Sequence, residues 1–422
     1  MSGEKRALAA RGWRNAKAAM SFGRAAVTGG GSELLADQLD DLKGLAMKIG
    51  QLASTLDGMI PESAQAALTR LQSRASPMPW ADVEATLLEA YGLPVADVFD
   101  AFDETPFAAA SIGQVHRAVR RGVPIAVKVQ YPGISRAIDD DMDNVGRIAT
   151  LGAIGTMVAS GPLVAELRAR LAEECDYRQE AAHQLLFRER NGSPGIRIPD
   201  VRRELVRTRI LATELMDGRR FDDFVATASQ AEKNAAGLDI YGYTFATIFG
   251  DGMFNGDPHP GNYLFQEDGS VVCLDFGCVR FFPPDIITTW KRLARVMLAG
   301  DRASFKEVFD ATGFPASPKF DYDAQWRVMQ YLYEPMTSPK FRYERGYTAR
   351  MFELMPKTSP NMWRMNIPPE WVLVQRLQWG MNGILARLEA EGDFGSRFRA
   401  ALDTPVDHAM RPAPVGVETD QT

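Results

Sequence analysis

The chain of 422 residues has little cysteine and little histidine. Its three cysteines, Cys175, Cys273 and Cys278, are odd in number and stand in no C-x-x-C spacing. That excludes a disulfide framework and a structural zinc site, and it fits a reducing compartment, read here as the cytoplasm. His116, His183, His259 and His408 are too scattered for a metal triad, and His259, set between two prolines, is expected to shape a loop and not to transfer a proton. A membrane-length apolar run is also missing. The longest uncharged stretch, Ile148 to Ala165, carries three Gly and one Pro among several Ser and Thr, and reads as a buried helix or loop. The first thirty residues are cationic without a following apolar region, so they are no secretory signal, although an amphipathic arm and peripheral membrane contact stay open. A net charge of −6 gives no basic footprint, which argues against nucleic acid as a partner, and no internal repeat is present.

What is present is a globular composition, 45% apolar and 24% charged. Leu35, Leu39, Leu42, Leu45, Ile49 and Leu52 recur at helical spacing and predict an amphipathic helix over 32–55, with Lys48, Gln51 and Thr55 on a polar face beside the stripe. From Val95 the texture changes to short runs that predict three antiparallel strands, in VADVFDAFDETPFA, QVHRAVRR and PIAVKVQYPG. Residues 163–190 return to helical periodicity, with Cys175, Ala182 and Leu185 on the apolar side and Asp176 and Glu180 on the other. Two carboxylates four apart cost roughly 0.2–0.5 kcal/mol unless a cation answers them. An extended segment is expected at 210–217 and helices at 231–249 and 369–390; across the C-terminal half Trp290, Trp326, Trp363, Trp371 and Trp379 accompany helical stripes and read as core packing.

The chemistry is carried by four ordered motifs. Ala108 to Val115, AAASIGQV, superimposes on the phosphate loop G-x-G-x-x-G-x-V, with alanine at the first two glycine positions and Gly113 retained. Lys128 follows in IAVKV, an interior lysine that needs a helix carboxylate to orient it, for which Asp176 and Glu180 are candidates. Asp257 and Asn262 have the D-x-x-x-x-N spacing of a catalytic loop, and Asp275, Phe276 and Gly277 form a metal-binding D-F-G. Each motif alone is weak; their order makes the set specific. Ser111 either meets a phosphate or satisfies its own backbone.

KIGQ, AAASIGQVHRA, AVKVQYPG, the ECDY segment and GDPHPGN with LDFG together resemble the UbiB/AarF family of atypical protein-kinase-like proteins, over roughly residues 35 to 300. The resemblance implies an α+β, two-lobed kinase-like fold that binds ATP and Mg²⁺. It assigns 1–94 to an N-terminal helical extension, 95–218 to the small antiparallel lobe, 219–345 to the helical lobe, 346–410 to a C-terminal helical extension and 411–422 to a disordered tail. Carried over by residue, Lys128 is the phosphate lysine and Glu180 its helix partner, and the alanine loop of Ala108, Ala109, Ala110, Ser111, Gly113 and Val115 lies at the nucleotide. Asn262 and Asp275 take the metal and Asp257 the acceptor. Lys48 and Gln51, with the E-x-D pair Glu174 and Asp176, are regulatory, and the extension covers the place where a peptide substrate would bind.

Two departures stand out. Asn255 and Gly256 precede Asp257 where many relatives carry a His, and no hydrophobic anchoring segment is evident. The resemblance points to an ATPase or kinase supporting ubiquinone or other isoprenoid-lipid metabolism, with a small molecule, a lipid or water as acceptor. The rivals are a phosphotransferase of aminoglycoside or choline kinase type, whose G-D-x-H-x-x-N loop GDPHPGN also resembles, and a nucleotide-binding scaffold without catalysis.

Overall fold

The computed structural model describes residues 77–110, 112–134, 175–344, 346, 347, 350, 361, 364–366 and 368–416. The predicted helix at 32–55, with Lys48 and Gln51, lies outside the described residues, as do Ser111, Glu174, Trp363 and the run 148–165. Among the described residues, 77–82, 109, 110, 112–114 and 130–134 belong to a smaller compact unit and the rest to a larger one. In the smaller unit Gln114 accepts from the Met78 N–H (2.7 Å) and donates to the Met78 carbonyl (3.3 Å), while the Tyr131 N–H donates to the carbonyl of the buried Ile112.

The N-terminal sheet has five strands: β1 (Ala101–Phe102), β2 (Ala108–Ala110), β3 (Gly113–Arg120), β4 (Val123–Gln130) and β6 (Ile210–Glu214), in the order β1-β3-β4-β6 with β2 paired to β3. Arg121 (φ 52°) and Gly122 (φ 74°) make the two-residue turn between β3 and β4, where positive φ at both positions matches the twist of a tight hairpin. Side chains alternate along β4: Ile125, Val127 and Val129 are buried in the sheet's core face, so Lys128 projects from the opposite one. The start of the expected first strand is different. Val95–Val98 is a helical turn closed by the Phe99 N–H on the Val95 carbonyl. Val98 and Phe99 are consecutive and both buried, which an alternating strand with one wet face cannot achieve.

Downstream, β5 (Ile196–Arg197), β7 (Arg219–Arg220), β9 (Tyr263–Phe265) and β10 (Val271–Cys273) form a four-stranded sheet in the order β5-β10-β9-β7, and β8 (Met253–Asn255) pairs with β11 (Val279–Phe281). The Gln230–Ala246 helix begins at a Ser229–Glu232 capping box and runs into a wider turn, Thr247–Asp251, that ends at Gly252 (φ 68°). Helices Pro284–Ala299, Pro369–Leu388 and Phe394–Asp403 complete the apolar core, in which Phe249 packs against Trp290 and Phe398. Trp290 and Trp371 are buried core residues and Trp326 packs at its edge. Residues 411–416, at the start of the expected disordered tail, are seated on the Tyr177–Arg190 helix by a hydrogen bond from the Val415 N–H to the Arg178 carbonyl. No described helix is long and apolar enough to cross a membrane.

Phe249 is fully buried at the centre of this aromatic cluster. Phe249→Ala is expected to cost about 3–5 kcal/mol in urea unfolding at unchanged m, and Phe249→Leu less than about 1.5 kcal/mol. A loss below about 1 kcal/mol for the alanine variant would place the core elsewhere.

Candidate functional site

The site is built on a helix whose buried surface is polar. Tyr177–Arg190 buries Gln179, Glu180, His183 and Gln184 alongside Tyr177, Ala181, Ala182 and Phe187. The expected apolar side fails at Leu185, which is only half-buried, because the helix is enclosed on more than one side and most of its buried polar side chains reach hydrogen-bond partners within the protein. Glu180 is the residue that meets Lys128. The Lys128 ammonium lies 2.8 and 3.0 Å from the two Glu180 carboxylate oxygens, 3.5 Å from Asp275 Oδ2 and 4.9 Å from the Tyr177 ring centre. Burial by itself disfavours that ammonium; the Asp275 and Glu180 charges reverse the effect and hold Lys128 well above the ordinary lysine range. Burial also pushes the Glu180 carboxyl up, against the pull of Lys128.

Asp176 is elsewhere. It is the N-cap of the same helix, accepting from the Arg178 N–H at 3.0 Å, and its carboxylate takes a two-pronged contact from the Arg178 guanidinium at 2.9 and 2.7 Å. The cation expected to answer it thus comes from two residues along the chain. Spacing alone missed this because Asp176 lies before the first helical turn and does not share a helical face with Glu180.

The catalytic-loop residues stand at strand ends. Asp257 follows β8, Asn262 precedes β9, and Asp275 comes two residues after β10. Asn262 Nδ2 donates to the Asp257 carbonyl (2.9 Å) and to its Oδ2 (3.4 Å). Asp275 Oδ1 accepts from the Gly277 N–H at 2.9 Å, which fixes the turn after β10. Two backbone bonds tie loop to turn, Gly256 N–H to the Cys278 carbonyl (2.7 Å) and Leu274 N–H to the Asn262 carbonyl (3.0 Å). His259 accepts from the Gly261 N–H through Nδ1 (3.1 Å), so it shapes the loop.

Sequence reasoning missed the role of Asn255. Its Oδ1 accepts from the Asp257 N–H at 3.1 Å while its Nδ2 donates to the Asp275 carbonyl, so one amide joins both acidic residues. The local signal was available: an Asn two residues before an Asp closes this kind of turn. The alanine segment is less loop-like than expected. Ala108–Ala110 are a strand with no positive φ, followed by Gly113 and Val115 on β3, and the Phe107 N–H donates to the Val115 carbonyl. Beneath the catalytic loop, a cavity of about 30 Å³ lined by Asn255, Pro258, Asn262, Tyr243 and Phe276 has room for a water.

Comparison with known proteins identifies the family and the fold. Residues 70–309 match the family model described as the ABC1 atypical kinase-like domain. The chain is 31% identical over 322 residues to "Atypical kinase COQ8B, mitochondrial" of Rattus norvegicus, covering 74% of this chain and 60% of that protein. It is 32% identical over 284 residues to "Atypical kinase coq-8, mitochondrial" of Caenorhabditis elegans, covering 65% and 37% respectively. These matches therefore span less than two thirds of either relative's length. Among solved structures, the Mycobacterium tuberculosis protein Rv3197 in complex with erythromycin superimposes with a TM-score of 0.67 at 26% identity, over 90% of this chain and 97% of that one. The fold is α+β and protein-kinase-like, and with a family model matching more than half of it, the chain belongs to the ABC1 atypical kinase-like family.

Proposed function

We propose that the chain binds ATP with magnesium and acts as an atypical kinase or ATPase. The observation that carries this reading is the buried Lys128–Glu180 pair held 3.5 Å from Asp275, next to a loop that links Asp257 and Asn262 to the same turn. Asp275 and the Oδ1 of Asn262 offer two hard oxygen donors, the number that suits a magnesium ion carried with phosphates, and no cluster of three His, Cys, Asp or Glu among the described residues offers an all-protein cage. Bound there, the ion would neutralise charge on the nucleotide phosphates.

Lys128 is assigned to the phosphates that are not transferred, since Glu180 holds its ammonium in place from one side. Asp257 orients the acceptor and takes its proton at a carboxylate oxygen, while Asn262 keeps that loop in shape. Ala108, Ala109, Ala110, Ser111, Gly113 and Val115 are assigned to the nucleotide, and Lys48, Gln51 and Glu174 to regulation. Asp176, already paired with Arg178, has less need of Lys48 than its sequence neighbourhood implied. The acceptor is a small molecule, a lipid or water, and the names of the mitochondrial relatives support a part in ubiquinone or other isoprenoid-lipid metabolism, with peripheral membrane contact. KIGQ and AAASIG favour this over the aminoglycoside or choline kinase type, which has no reason to carry them.

Asp275→Asn is expected to abolish magnesium-dependent ATP binding, whereas Asp257→Asn leaves it within about threefold and lowers turnover by roughly 10²–10⁴. Calorimetry with and without magnesium, paired with a phosphate-release assay, separates the two; equal loss of binding in both variants sinks the assignment. Ala110→Gly should change the ratio of ATP to ADP affinity with little effect on melting temperature, because glycine opens backbone conformations and an approach to phosphate that the alanine methyl denies. Unchanged affinities for both nucleotides would remove this strand from the phosphates.

A further inference from the structure

The Lys128 site accounts for Glu180 but not for the other buried polar residues of its helix. Gln179 and His183 are 8% and 3% exposed, one turn apart, on a helix that could have filled both places with apolar side chains. Their partners form one continuous line. His183 Nδ1 lies 3.2 Å from the carbonyl oxygen of Phe276, the residue after Asp275, and its Nε2 lies 2.9 Å from Gln179 Nε2. Gln179 Nε2 in turn lies 3.2 Å from the carbonyl oxygen of Pro412, in the C-terminal segment.

The chemistry of these atoms fixes every proton. The Phe276 carbonyl only accepts, so His183 carries its proton on Nδ1, and Nε2 is left as an acceptor. The two N–H groups of the Gln179 amide then serve one acceptor each, His183 Nε2 and the Pro412 carbonyl. The line is saturated with a neutral imidazole and has a single direction of donation at each end. Burial supports that state, since it pushes the imidazole down to about 4, with the Arg411 charge acting the same way.

The segment at the far end is held by three backbone hydrogen bonds and one ion pair. The Val415 N–H donates to the Arg178 carbonyl (3.1 Å), the Asp407 N–H to the Gly250 carbonyl (2.7 Å) and the Ala409 N–H to the Asp251 carbonyl (2.8 Å), and Asp407 pairs with Arg190 of the same helix at 2.5 Å. We propose that Gln179 and His183 are positioning residues that couple the seating of the C-terminal segment to the Asp275–Gly277 turn, so that a seated segment holds Asp275 ready for its cation. The metal part of this proposal rests on the reading of Asp275 given above; the coupling itself does not.

Two variants test it in the full-length protein. Gln179→Met fills the same space without N–H donors, and Val415→Pro removes the donor that reaches Arg178 while leaving Gln179 and His183 in place. With only four histidines in the chain, the ¹⁵N signals of His183 are assignable, and the wild type should show the Nδ1–H tautomer with a slowly exchanging proton. Both variants should lose that slow exchange, shift the Gly277 amide signal and weaken the magnesium dependence of ATP binding about tenfold, the usual scale for outer-shell partners of a metal site. ATP binding without magnesium should be unchanged. If Val415→Pro frees residues 411–416 in hydrogen exchange while His183 and Gly277 keep their wild-type signals, the segment is only a cover and the proposal is overturned. A wild type that binds no ATP with magnesium would overturn the nucleotide reading, and the His183 and Gly277 signals would still decide the coupling.

Discussion

The ion pair between Lys128 and Glu180 is the constraint from which the rest of the site follows. An ammonium 12% exposed and a carboxylate 5% exposed are both costly to take from water, and either one left alone would forfeit about 3–5 kcal/mol. The pair exists only if β4 and the Tyr177–Arg190 helix are held together to hydrogen-bond accuracy. The β4–β6 ladder, which sets Lys128 opposite Leu211, and the Tyr177 N–H bond to the Thr208 carbonyl supply that accuracy from both sides of β6. A pair of this kind is a poor source of stability compared with apolar packing of the same volume. What the pair does supply is a fixed position for the ammonium, which the proposed contact with nucleotide phosphates requires.

Asp275 is the second carboxylate that faces the lysine. It sits 25% exposed at 3.5 Å from the ammonium, and with Glu180 it holds Lys128 well above the ordinary lysine range. Its orientation depends on groups that never touch the lysine: the Gly277 N–H on one carboxylate oxygen and the Asn255 amide on its own carbonyl. Asn255 also holds the Asp257 backbone, so that loop and turn share one side chain. A side-chain amide has a donor and an acceptor at once and needs no particular protonation state to bridge two backbone groups.

Behind the pair, the helix spends its buried surface on polar side chains. Gln184 donates to the Pro199 carbonyl and Arg188 to the Ile198 carbonyl at 2.7 and 2.5 Å, which anchors the far half of the helix to the segment after β5. Phe187 packs on Phe276 at 5.2 Å between ring centres, so the turn that follows Asp275 is held by an apolar contact as well as by His183. The helix is therefore defined by directional bonds at several points along its length, a more exacting condition on its position than a greasy stripe would impose.

The sequence by itself determined the residues that carry charge and their order. Lys128 in an alternating strand, Asp257 five positions before Asn262, and Asp275 ahead of a glycine are local patterns, and a strand with period two was enough to turn Lys128 away from Ile125, Val127 and Val129. The paired β3–β4 hairpin and the helices at 230–246 and 369–388 were legible for the same reason, since periodicity reports a face when only one face is buried. Tertiary structure decided everything that depends on burial from several sides or on a partner far along the chain. Apolar spacing could not show that the Tyr177–Arg190 helix is enclosed, because enclosure replaces the stripe with hydrogen-bonded polar groups. Spacing could not choose Glu180 over Asp176 for Lys128, because that choice turned on where the helix begins and on Arg178 capturing the earlier carboxylate. Nor could composition place residues 411–416, whose Gly and Pro read as disorder; backbone donors and carbonyls hold that segment, and backbone groups leave no signature in a string of side chains.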